Sequence, residues 1–303
     1  MRVGVSVRSA YGIADVRAGA QWLVERASAA WAAGLDSLFL GDHHVTGGPY
    51  YQNSPMLGRL LAEWGARPCG ALYLLPLWHP VLLAEQVATL AAIAEGPFTL
   101  QCGLGDGAAQ FAGMGTELRH RRQRFEAALD VVRRLLAGEE VNTDGPWRIS
   151  GARIGPRPPE PVTVWIAAAA EPGLDRAARL GDGWLAGPAV PVDAAGAQLR
   201  LYRERCEAHG RPVGATVIRR DVHVGADDDD ARRVAAPVLA AGYRGMAPDV
   251  PVVGGPDTVA EALRALAELG FTEVLVRHLA EDQTEVLRSF ERLAEVRALV
   301  ADA

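Results

Sequence analysis

Asp42, His43 and His44 stand in a row at the end of a short apolar run, LDSLFLG. A carboxylate beside imidazoles suits two kinds of chemistry: proton transfer near neutral pH, or metal binding. Hydrolytic metal barrels usually add a His-x-His at the end of their first strand. Here that place holds Arg8 and Ser9, so no metal site is expected. His43 is therefore the expected acid–base group. Asp42 is the expected partner that orients it, although neighbours in an extended segment point apart. A lone thiol such as Cys102 is ordinarily inert packing. The acidic run Asp227–Asp230 is read as a solvated helix start, where acids suit the macrodipole.

The sequence contains no lysine; all 31 basic residues are arginine. That excludes Schiff-base aldolases, pyridoxal-phosphate enzymes and P-loop nucleotidases, all of which need a lysine amine. With 37 acidic residues the formal charge is −6, which argues against nucleic acid or an anionic membrane as partner. At 49% hydrophobic and 22% charged, the chain has ample material for a core and is not disordered. Its three cysteines are far apart and odd in number, without zinc spacing, so a reducing compartment is expected. No apolar run approaches the ~20 residues of a membrane span, and residues 1–12 carry no signal-peptide core. The expected location is cytoplasmic.

Short apolar runs predict eight strands, at 2–7, 37–40, 69–75, 98–103, 162–167, 183–186, 216–224 and 273–277. Helical segments alternate with them, at about 19–33, 52–64, 80–94, 120–137, 172–180, 194–209, 227–239, 257–269 and 284–300. Pro80 suits the first position of its helix, and Gly34 and Gly270 suit stops. Regular alternation over eight units predicts an α/β fold, a (β/α)8 TIM barrel forming one domain over residues 1–303. A Gly- and Pro-rich excursion interrupts it at 138–161. The competing doubly wound sheet lacks its glycine-rich first turn. In a barrel, chemistry sits where strands end at one mouth. The residues there include Asp42 and His43, Trp78 and His79, Cys102 to Asp106, and Ala168 to Glu171.

The segments LDSLFLGDHH, LLPLWHPVLLAEQVATL, GPFTLQCGLGDGAAQFAGMG and PVTVWIAAAAEPGLDRAARLGDGW resemble the bacterial luciferase-like family. The resemblance runs from Arg2 to about Leu279, in the family's order and spacing. It implies a (β/α)8 barrel and a flavin- or deazaflavin-dependent oxidoreductase. The expected cofactor is reduced FMN, with coenzyme F420 as the alternative. The expected reaction is monooxygenation or hydride transfer on a small organic substrate; a non-catalytic flavin-binding barrel is the rival.

The resemblance also implies roles for residues. His43 would face the substrate side of the flavin ring. A non-prolyl cis peptide at Ala71–Leu72, or beside it, would press on the ring. Cys102, Gly103 and Asp106 would lie near it. Ala169, Ala170 and Glu171, at the start of a helix, would hold the cofactor phosphate through backbone N–H groups. Relatives often carry Ser, Thr or Gly there, whereas here Glu171 would repel a phosphate if turned inward and Arg176 would compensate. The family implies a homodimer through the helices at 52–64 and 80–94, and a separate flavin reductase for FMN. The segment 225–256 is short for the family, which implies a more open mouth.

Overall fold

The computed structural model describes residues 1–301. Eight parallel strands close into a barrel. In chain order they are β1 (Arg2–Val7), β2 (Leu38–Leu40), β3 (Cys69–Leu74), β4 (Phe98–Gly103), β7 (Thr163–Ala167), β8 (Gly183–Ala186), β9 (Ala215–Val224) and β11 (Glu273–His278). Each pairs with the next, β9 pairs with β11, and β11 pairs with β1. Two further strands, β5 (Val141–Thr143) and β6 (Ile149–Ala152), form a hairpin inside the excursion. A short β10 (Val252–Gly254) adds to the C-terminal end of β9. The eight strands thus lie where the sequence predicts them.

The helices are α1 (Val16–Ala32), α2 (Asn53–Trp64), α3 (Pro80–Ile93), α4 (Ala108–Gly113), α5 (Arg121–Leu136), α6 (Glu171–Leu180), α7 (Val192–Ala208), α8 (Asp228–Ala240), α9 (Pro256–Leu269) and α10 (Gln283–Ala301). The acidic run starts α8 as expected: Asp227 caps it by accepting from the Asp230 N–H at 2.8 Å.

Alternation along each strand sorts its side chains into two layers. The outward set, such as Val3, Leu38, Ala71, Leu100, Cys102 and Val276, packs under the helices in one large cluster. The inward set fills the barrel with Phe39, Trp165, Leu185, Val217 and Leu275. Register extends this layer to Ser6, Leu72 and Gln101, which pair with Phe39, Gln101 and Trp165 in turn. The next inward position on each strand, two residues on, forms the floor of the mouth.

Candidate active site

The floor of the mouth has two unlike halves. On β4 and β7, and just past β8, the inward residues are Gly103, Ala167 and Gly187, all small, and Leu72 of the layer below reaches the cavity beside Gly103. On β1, β9 and β11 they are Arg8, Arg219 and Arg277. Between the halves, β2 delivers Gly41 and His43. A cavity of about 460 Å³ opens here, lined by His43, Tyr50, Leu72, the three arginines and Arg244.

His43 is exposed at the rim. Its ring centre lies 5.9 Å from that of Tyr50, and its carbonyl accepts from Gln52 Nε2 at 3.2 Å. Tyr50 is tied to the loop after β1 by an antiparallel bridge to Ala10, so two barrel loops brace the wall beside His43. Burial pushes the Tyr50 phenol up to about 12, so it stays protonated around neutral pH.

Asp42 does not orient His43. Its carboxylate is fully buried and turned the other way. Oδ2 accepts from the Leu74 N–H and from Trp78 Nε1, each at 2.8 Å. Oδ1 lies 3.2 Å from His44 Nε2, off the line of a hydrogen bond. The extended backbone explains this, since successive side chains leave opposite sides. Asp42 thus clamps the end of β2 to the end of β3.

Ala71 is outward and buried, so only Leu72 of that pair reaches the cavity. The peptide bonds from Cys69 to Leu75 are all trans, which corrects the cis expectation; the chain's cis bond among the described residues is Gly155–Pro156. Cys102 is also outward. Its Sγ has only the Leu100 carbonyl at 4.0 Å, and burial pushes the thiol up, so it is packing rather than part of the mouth. Gly103 is inward, and a Cβ there would meet Leu74 Cδ2 at 2.9 Å. Asp106 is exposed in the loop after β4; the helix cap that follows is Gly107.

At the start of α6 the residues turn away from the cavity. Ala170 is the N-cap, Ala169 is exposed, and Glu171 pairs with Arg205 of α7. Glu171 therefore does not face inward. Arg176 does not compensate either, because it is buried against Glu126 at 3.1 Å. Pro172 has no N–H, and the Gly173 N–H is spent on the Ala170 carbonyl at 2.8 Å. One first-turn donor remains, the Glu171 N–H, so this helix start offers an anion little.

A flat tricyclic ring fits the small half. Gly103, Ala167 and Gly187 present backbone rather than bulk, and nothing lies within 4 Å of a Cβ built on Gly187. One layer below, Gln101 Nε2 and Trp165 Nε1 are buried donors without partners. Trp165 and Trp184 belong to the core, and Trp184 Nε1 donates to the Ala168 carbonyl at 2.9 Å. Trp78 packs between His44 and Tyr73 rather than lining the cavity.

The arginine half was not expected. Its signal was available: a charged residue at the inward position that follows an apolar run, at Arg8 just past β1 and at Arg219 and Arg277 within β9 and β11. From the sequence, Arg8 signifies only an absent metal ligand, and nothing close to Arg219 or Arg277 in the chain marks them as one wall. Arg244 had no local signal, since an irregular segment carries it in.

Comparison with known proteins agrees with this architecture. Residues 1–273 match the luciferase-like monooxygenase family. The chain is 29% identical to an F420-dependent glucose-6-phosphate dehydrogenase of Beutenbergia cavernae, over 87% of this chain and 88% of that one. Among solved structures, the monooxygenase RslO1 of Streptomyces bottropensis superposes with a TM-score of 0.85 at 22% identity, covering 97% of this chain and 98% of that one. The oxygenating constituent of 3,6-diketocamphane monooxygenase of Pseudomonas putida, solved with FMN, gives 0.83 at 18% identity, covering 100% and 98%. The chain is an oxidoreductase of the luciferase-like monooxygenase family.

Proposed function

We propose that the chain exchanges a hydride between coenzyme F420 and a small organic substrate, with His43 moving the accompanying proton. The observation that carries this reading is the open rim. His43 and the segment 45–49 are exposed, so the mouth does not exclude water. Oxygen activation needs a water-free site, whereas hydride transfer to or from a deazaflavin tolerates solvent. The sequence likeness to F420-dependent dehydrogenases across nearly the whole chain supports the same choice.

The coenzyme supplies the hydride acceptor or donor. The ring half formed by Leu72, Gly103, Ala167 and Gly187 holds it, and His43 faces the reacting carbon from the rim. His43→Ala lowers turnover by about 10²–10⁴-fold and leaves coenzyme affinity unchanged. The protein works in the cytoplasm as a homodimer, and under this reading it needs no flavin reductase.

Parallel titration with F420, FMN and FAD, read by fluorescence quenching, tests the proposal. Tightest binding of F420 is expected. Binding of FMN alone contradicts it and restores monooxygenation with a partner reductase. A bound coenzyme without turnover on any alcohol or aldehyde favours a non-catalytic barrel.

A further inference from the structure

The arginine wall faces the ring half across the mouth, and its charges do not balance. Arg8 pairs with Glu281 at 2.8 Å, and Arg219 pairs with Asp221 at 2.8 Å. Among the described residues, Arg244 and Arg277 have no carboxylate within ion-pair distance. Arg277 is 8% exposed and its Nε has no hydrogen-bond partner. Burial, with Arg219 alongside, lowers it to about 10, so it remains a cation at neutral pH. A buried guanidinium without an ion-pair partner, as at Arg277, is costly unless an anion arrives, and Arg244 adds a second positive charge at the open side of the same cavity.

Arg244 is presented deliberately. Its backbone is left-handed, φ 51° and ψ 21°, between Gly242 and Gly245, which are left-handed too. Such a conformation is strained for a side chain and persists only where its surroundings hold it. The holding contact is adjacent: Tyr243 Oη donates to Asp221 Oδ2 at 2.8 Å. The carboxylate that neutralises Arg219 therefore also latches the segment that carries Arg244.

We propose that this wall binds a dianionic group of the substrate, a phosphate monoester or a pair of carboxylates, neutralised by Arg244 and Arg277. Guanidinium forks match both oxyanions bidentately. Ring and anion then occupy opposite halves, with His43 between them, so the reacting carbon is separated from the charged end. The proposal rests on the reading of this mouth as the substrate pocket.

Calorimetric titration at constant ionic strength tests it, with inorganic phosphate and succinate as dianions and acetate as the monoanion. At least one dianion is expected to bind ten-fold or more tightly than acetate, and which one names the class. Arg244→Ala, at an exposed position, is expected to weaken that binding at least five-fold, and Arg277→Gln at least as much. Saturating F420 is expected to leave it within two-fold, because the coenzyme lies on the other half. Equal binding of acetate, unchanged binding in both variants, or competition between dianion and coenzyme each overturns the proposal. The last outcome would assign the wall to the coenzyme's own phosphate. Dianion binding with no F420 binding would contradict the F420 reading and leave the anion wall standing.

Discussion

Arg219 and Asp221, two residues apart on β9, face each other inside the barrel and share two hydrogen bonds, of 2.8 and 3.2 Å. Asp221 is 1% exposed, so the pair is a buried one. Removing one member strands the other's charge. Asp221→Asn is therefore expected to destabilise the fold by about 3 kcal/mol. Tyr243→Phe, which loses only the latch, is expected to cost about 1 kcal/mol. Urea unfolding of the two variants checks the ratio; equal costs would mean that the ion pair carries no weight.

Arg277 reverses the usual expectation for a buried residue. It has no carboxylate within ion-pair distance, and burial, with the neighbouring Arg219 cation adding to it, penalises its charge. Arg277→Met keeps much of the volume and removes the charge. In anion-free buffer the variant is expected to be more stable by about 1 kcal/mol, a rise in Tm of about 2 °C. A fall in Tm would show that Arg277 is already neutralised within the chain.

Two buried histidines make the fold acid-sensitive. His278 Nε2 meets Ser289 Oγ at 2.9 Å, and His223 has no partner on either nitrogen. Burial lowers both below the ordinary histidine value, with Arg26 and His223 adding to the effect at His278. The unfolded chain then takes up protons that the folded chain refuses. Their contribution is fully present above about pH 6.5 and is lost as pH falls from there toward the folded values. The urea midpoint is expected to drop between pH 7.5 and pH 5.5, and the drop is expected to shrink in His278→Gln. A midpoint flat over that window contradicts the assignment.

The homodimer prediction changes its residues. Leu57, Leu60, Trp64 and Leu83 are fully buried in their own chain, and Leu61 nearly so. Leu83→Glu should thus unfold the protein whatever its assembly. The apolar residues α3 offers to a partner are Leu82, 48% exposed, and Ile93, 51% exposed, beside a groove with Pro55, Gly58 and Leu90 of α2 and α3. A dimer there buries about 2,000 Å² if obligate. Sedimentation is expected to show a dimer that Leu82→Glu or Ile93→Glu converts to a folded monomer. A monomer before mutation refutes it.

The barrel was legible because each strand is an apolar run bounded by Gly, Pro or a charged residue, as in FTLQCG before Leu104-Gly105. Short irregular pieces were not: α4 and β10 are a single turn or a few residues and carry no period of their own. The placement of His43, Leu72 and Gly103 at the mouth followed from the strand ends. The directions of Asp42, Cys102 and Glu171 did not, because each depends on a partner far along the chain: Trp78 for Asp42, the helix layer for Cys102, Arg205 for Glu171. The arginine wall needed closure of the barrel, which brings Arg8 beside Arg277 across nearly the whole sequence.

The most direct test of the account is the F420 dissociation constant of the unchanged protein beside that of Gly187→Leu. Gly187 faces the open ring half with nothing within 4 Å of a Cβ, so leucine fills the mouth without disturbing the core. The account predicts that the unchanged protein quenches F420 fluorescence saturably and that Gly187→Leu weakens binding at least ten-fold at unaltered Tm. Equal affinity in the two proteins would place the coenzyme elsewhere and contradict the account.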